Sequence, residues 1–108
     1  MALLRRRRSK RMETGSLDPS IVRIADAQAR HRIKVRGQVT RMRARPTSGL
    51  PALAVSISDD SGTVIAVWTG RRMIGGIVLG RALVIEGVAI RRGPQLEFMN
   101  PAYTLLPR

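Results

Sequence analysis

At 108 residues, with 20 basic against 7 acidic side chains and a formal charge of +13, the chain has room for one small domain. No cysteine is present and His31 is the single histidine, which excludes disulfides, thiolate metal sites and a histidine cluster for zinc. All the bases except Lys10 and Lys34 are arginine, so a polyanion is the expected partner, nucleic acid ahead of an anionic membrane surface.

Residues 1–16 carry Arg5 to Arg8, Lys10 and Arg11 against Glu13 and hold almost nothing that could enter a core, so they are expected to be a disordered basic arm. The remainder, 17–108, is expected to fold as one domain, and its own bases still outnumber its acids by 14 to 6. MALLRRRR has no apolar stretch behind its basic run, and the most apolar region, IGGIVLGRALVIEGVAI, is interrupted by Arg81 and Glu86. Neither a signal peptide nor a membrane span is expected, and the expected location is the cytosol, with or without association to the nucleoid.

SLDPSIVRIADAQAR predicts a short helix or helical turn with Asp18 as N-cap, Pro19 at the first helical position and Ile21, Ile24 and Ala25 on one side, a suitable plug for a barrel end. The period then changes to two. In HRIKVRGQVTR, Ile33, Val35, Gly37 and Val39 alternate with Arg32, Lys34, Arg36, Gln38 and Thr40, a half-buried first strand with a cationic outer face. RMRARPTSGL, with Arg41, Arg43 and Arg45 ahead of Pro46 and Gly49, predicts a loop. PALAVSIS is a second strand with Leu53, Val55 and Ile57 on one face and the small Ala54, Ser56 and Ser58 on the other. DDSG turns the chain into the third strand, TVIAVWT. RRMIGGIVLGR is an irregular or helical link, ALVIEGVAI a fourth strand, RRGP a turn, and QLEFMN a fifth strand running through Pro101 into AYTLL.

Five short strands with an interruption between the third and fourth describe a small all-β barrel. The order of strands and loops over Arg30 to Leu106 resembles the five-stranded Greek-key OB-fold, with the short N-terminal helix added. More narrowly, RIADAQARHRIKVRGQV, ISDDSGTVIAVW and LGRALVIEGVAIRRGPQLEFMNPAY resemble the wedge domain of RecG-type branch-migration helicases and short stand-alone OB proteins of bacteria. The resemblance implies that Asn100, Pro101 and Tyr103 end the barrel. It implies no ATP-driven activity, because the helicase motor domains and their phosphate loop are absent from this sequence. Aromatic residues are scarcer than the family's usual base-stacking face, with only Trp68, Phe98 and Tyr103 available.

Asp59-Asp60 could be a catalytic or metal-binding pair, but Asp-Ser-Gly between two strands supplies what a turn needs, acceptors for backbone amides and a glycine for positive φ. Trp68 fits two roles, stacking on an unpaired base or filling a barrel end beside Val64 and Ala66. Phe98 shares a face with Leu96 and is expected in the core. Three arginine clusters, Arg41, Arg43 and Arg45, then Arg71 and Arg72, then Arg91 and Arg92, fall in loops that an OB-fold brings beside its second and third strands, with Lys34 and Arg36 on the cationic strand face. RMIGGIVLGR lacks the Gly-Lys-Ser/Thr of a Walker loop, and His31 has no nucleophile in a recognisable motif.

These features predict a non-enzymatic binding module without metal or cofactor. It is expected to bind single-stranded or branched DNA with little sequence specificity, as in repair or recombination, since most contacts would go to phosphate. The alternatives are an RNA-binding OB module and a protein-interaction adaptor in a larger assembly, the latter using apolar residues such as Ile65, Val67 or Met99 as its patch.

Overall fold

The computed structural model describes residues 18–46 and 48–108; the expected arm over 1–16 lies outside them. Seven strands are formed among the described residues: β1 (Ile21–Val22), β2 (Arg32–Ala44), β3 (Ala52–Ser58), β4 (Thr63–Thr69), β5 (Ala82–Arg92), β6 (Gln95–Met99) and β7 (Ala102–Leu105). The pairings β2–β3, β3–β4, β4–β6, β6–β5 and β5–β2 close a five-stranded ring in which only β4–β6 is parallel. AYTLL prolongs the fifth strand along the same side of β5 with a one-residue offset at Asn100-Pro101, forming β7 with Ile85 paired to Tyr103.

No α-helix forms between Asp18 and Arg30. Ser20 donates to the Asp18 carboxylate through both its amide and its hydroxyl, Ile21 N donates to Asp18 O, and the chain turns. The β-branched Ile21 and Val22 then pair in parallel with Lys34 and Val35, satisfying backbone groups a helix would have used internally. Only Ile24–Asp26 winds into a single 3-10 turn. Ile24 still closes one barrel end, buried to 6% exposure.

Inward residues alternate as the period-two reading requires. Val35, Val55, Ile57, Ala66, Leu83, Ile85, Ala89 and Phe98 are fully buried, and Ile74 and Ile77 from the β4–β5 connection join the same core. Each large aliphatic or aromatic side chain so buried contributes about 1.5–3 kcal/mol.

β2 is the exception to simple alternation. Its first half pairs with β5 and its second half with β3, so it must bend sharply. A Cβ on Gly37 would meet Ser58 O at 2.6 Å, which explains the glycine at the bend. A bulge at Thr40 absorbs one residue between the Val39–Ile57 and Arg41–Ser56 pairs. The strand therefore continues through Arg41, Met42, Arg43 and Ala44 rather than becoming a loop at Arg41.

The DDSG corner is structural and does more than turn. Asp59 accepts hydrogen bonds from Ser61 N (2.7 Å), Ser61 Oγ (2.6 Å), Gly62 N (3.0 Å) and, across the barrel end, Ile24 N (3.0 Å). Partial burial pushes its carboxyl upward, but these bonds together outweigh it and hold the group below the usual carboxylate range. Ser61 Oγ likewise accepts from Ala25 N at 2.9 Å. The reason for Gly62 differs from expectation: its φ is not positive, and its missing side chain instead makes room for the Ile24 methyl, 3.2 Å from where a Cβ would stand.

Candidate nucleic-acid interface

The bulge at Thr40 decides which side chains leave the barrel. Beyond it Met42 pairs with Val55 on the inner side, while Arg41 pairs with Ser56 and Arg43 with Ala54 on the outer side. Ser56 and Ala54 pair in turn with Ile65 and Val67 of β4. The result is a cationic edge beside a floor of small residues, where a chain can approach closely.

The opposite wall is the β5–β6 hairpin. Arg92 pairs with Gln95 across the two-residue turn Gly93-Pro94, with Gly93 at φ 64, the glycine-first arrangement that suits a hairpin's twist. Arg41, Arg43 and Arg45 from one side and Arg92 from the other border a groove of about 400 Å³ whose floor is Ala54, Ser56 and Ile65.

At the base of that groove is Glu97, which the sequence reading did not single out. It lies between the inward Leu96 and Phe98 and so faces outward, yet it is only 3% exposed. Its Oε1 accepts from Arg45 Nη2 at 2.7 Å and from Arg92 Nε at 3.0 Å. Arg45 follows β2 and Glu97 lies on β6, so this ion pair spans the two strands between them. A carboxylate buried to this degree requires such partners, and here it holds the two walls together. Four guanidinium groups against one carboxylate leave the groove strongly positive.

The other expected site residues lie elsewhere. Lys34 donates to Asp18 at 3.1 Å, and that hydrogen bond raises its pKa. Arg36 lines a separate hollow with Arg23 and the acids Asp18, Asp59 and Asp60, of which Asp18 meets Lys34 and Asp60 meets Arg23. Arg91 points to the far side of its hairpin, donating to Pro94 O at 3.3 Å beside a hollow that Ile24 and Gly62 also line. Arg72 borders an apolar hollow next to the groove together with Arg45, Pro46 and Leu50, and Arg71 is exposed on the same connection. The fold thus brings the first and third arginine clusters together only in part.

Trp68 takes the core role, and the stacking role is withdrawn. It is 6% exposed, its Nε1 donates to Pro101 O at 3.1 Å, and Tyr103 meets it edge-on at 5.8 Å between ring centroids. Asn100 sets this socket: at φ 49 it turns the chain, and its Oδ1 accepts from Thr69 N at 3.0 Å at the end of β4. The Asn-Pro-x-Tyr sequence was the available signal for a buried indole. Val67, expected in an apolar surface patch, is fully buried, with Ala52 and Ala54, in a second small cluster on the outer side of β3 and β4.

No family model and no curated protein matches the chain. Solved structures do. An OB domain from Methanosarcina mazei matches with a TM-score of 0.64 at 11% identity, over 85% of this chain and 88% of that one. The second OB-fold domain of replication protein A from Methanococcus maripaludis gives 0.64 at 10% identity, over 82% and 96%. The crystal structure of yeast Stn1 and Ten1 gives 0.57 at 17% identity over 71% of this chain, which spans only 43% of the yeast chain. Identities this low speak to the fold alone, and with the ring order β2-β3-β4-β6-β5 they settle it: the chain is an all-β OB-fold domain.

Proposed function

We propose that this OB domain binds single-stranded nucleic acid, without catalysis, in the groove between the β2 edge and the β5–β6 hairpin. The observation that carries the reading is the convergence of Arg41, Arg43, Arg45 and Arg92, 51 residues apart at the extremes, on one concave strip over small residues. Guanidinium groups grip phosphate through paired donors, and counterion release supplies the affinity. An OB-fold groove with a cationic border over small residues suits a single strand.

DNA is preferred to RNA, as a single strand or a branched substrate of repair or recombination, on the residue resemblance to the RecG-type wedge. Sequence readout is expected to be poor, because phosphates carry no base identity. The decisive experiment is a titration of single-stranded DNA at several salt concentrations, with RNA and forked DNA as competitors. Affinity falls with a slope of about −0.7 per neutralised phosphate; a curve indifferent to salt overturns the reading.

One observation favours a second role. Met73, Val78 and Leu79 on the β4–β5 connection are 84%, 47% and 65% exposed, a surface suited to docking on a protein assembly. Substituting Arg71 and Arg72 on the same connection separates the two: nucleic-acid binding retained with loss of a co-purifying protein supports docking.

A further inference from the structure

The groove has a cationic edge but no aromatic floor. Trp68 and Phe98 are buried, and Tyr103 is turned against Trp68. The outer surface beyond the arginines is instead aliphatic. Ile65 of β4 and Ile90 of β5 flank Glu97 of β6 in register, and Met99 pairs with Val67 one step along. Ile90, Met99 and Val88, the next outward residue on β5, are 37%, 43% and 49% exposed. Large apolar side chains contiguous on an outer sheet face need an occupant.

Two features identify it. The strip runs alongside the arginines, bordered by Arg41 and Arg43 on one side and by Arg92 at the hairpin. Ile65 is two strand spacings, about 10 Å, from Arg41 across the sheet, and Ile90 is two residues, about 7 Å, from Arg92 along β5. A ligand anionic along one side and apolar along the other, at separations of that order, fits a single-stranded nucleic acid with its bases turned toward the barrel.

Building on the proposed function, we infer that the bases lie on the aliphatic strip of Ile65, Ile90, Met99 and Val88, extending the bound strand from β3 and β4 onto β6 and β5. Base contact here is apolar contact without ring stacking. It distinguishes a strand with bases from one without them, and hardly distinguishes one base from another.

The test compares a twelve-nucleotide thymidine strand with an abasic strand of the same phosphate count. The unaltered protein binds the thymidine strand about tenfold more tightly, whereas equal binding of the two overturns the inference whatever happens to any variant. The Ile90→Thr, Met99→Gln variant keeps strand-compatible shapes; it loses most of that preference while its salt slope stays unchanged. If this variant binds like wild type while Arg41→Ala, Arg43→Ala binds weakly, the strip is not used and the phosphate groove stands. If the arginine variant also binds like wild type, the groove reading itself fails. Sedimentation adds a further arm: a dimer that the strip variant dissociates, with DNA affinity unchanged, makes the strip an interface between two copies and overturns the inference.

Discussion

The two halves of β2 have similar composition and opposite surroundings. Before the bulge, Arg32, Lys34 and Arg36 face outward along the stretch paired with β5. Arg32 meets Glu86 at 3.2 Å, Lys34 meets Asp18, and Arg36 shares its hollow with three aspartates. After the bulge, Arg41 and Arg43 lie opposite the small residues of β3. One half spends its charge inside the molecule, and the other offers it to a partner. Counting arginines along the strand cannot tell these apart; neighbours set by register can.

The sharpest way to break the comparison is to reverse facing within the second half. Met42→Arg puts a guanidinium on the inner side against Val55 and should destabilise the fold by about 2–4 kcal/mol, read from urea unfolding. Arg43→Met, one residue on and facing out, should leave the unfolding midpoint nearly unchanged.

Next in size is the contrast in binding. Arg41→Ala with Arg43→Ala should flatten the salt slope on single-stranded DNA by about 1.4, two phosphates' worth. Arg36→Ala should leave the slope as it is. A slope that falls equally for both would dissolve the distinction between the halves.

Glu97→Gln tests what joins the second half to the hairpin opposite. The carboxylate is buried while its arginine partners are 41% and 60% exposed, so solvent screens part of the pair. We expect a loss of about 1–2 kcal/mol by chemical denaturation, with the secondary structure retained in circular dichroism.

The smallest effect concerns the first half. Hydrogen bonds from Ser20, then from Lys34, draw the Asp18 carboxyl down to about 2. A folded pKa below the unfolded one stabilises above the unfolded value and loses that contribution as pH falls through the folded value. Wild type should therefore melt slightly above Asp18→Asn at pH 6, and the two should converge as the pH approaches 2. Asp59 follows the same sign through its bond to Ile24.

Much of the barrel was legible in advance because burial on one face of a strand imposes a period of two. Val35, Ile57, Ile85 and Phe98 were readable as core on that ground, and Asp59 as a corner on turn chemistry. The helix expected around Pro19 was not realised, since Ile21 and Val22 had a strand edge to join that local propensity does not contain. Trp68 stayed open because an indole at a strand end suits core and surface equally, until Pro101 supplied the acceptor for its N–H.

Composition and local pattern, then, determined an all-β chain with excess cation and an arginine-rich stretch from Arg41 to Arg45, because those properties reside in the residues themselves. Only the tertiary structure decided which arginines act together. A single unpaired residue at Thr40 fixes the side on which Arg41 and Arg43 emerge, and ring closure brings Glu97 and Arg92 to meet Arg45 from a distant part of the chain. Facing and proximity are properties of register and closure, and neither is written in any one segment.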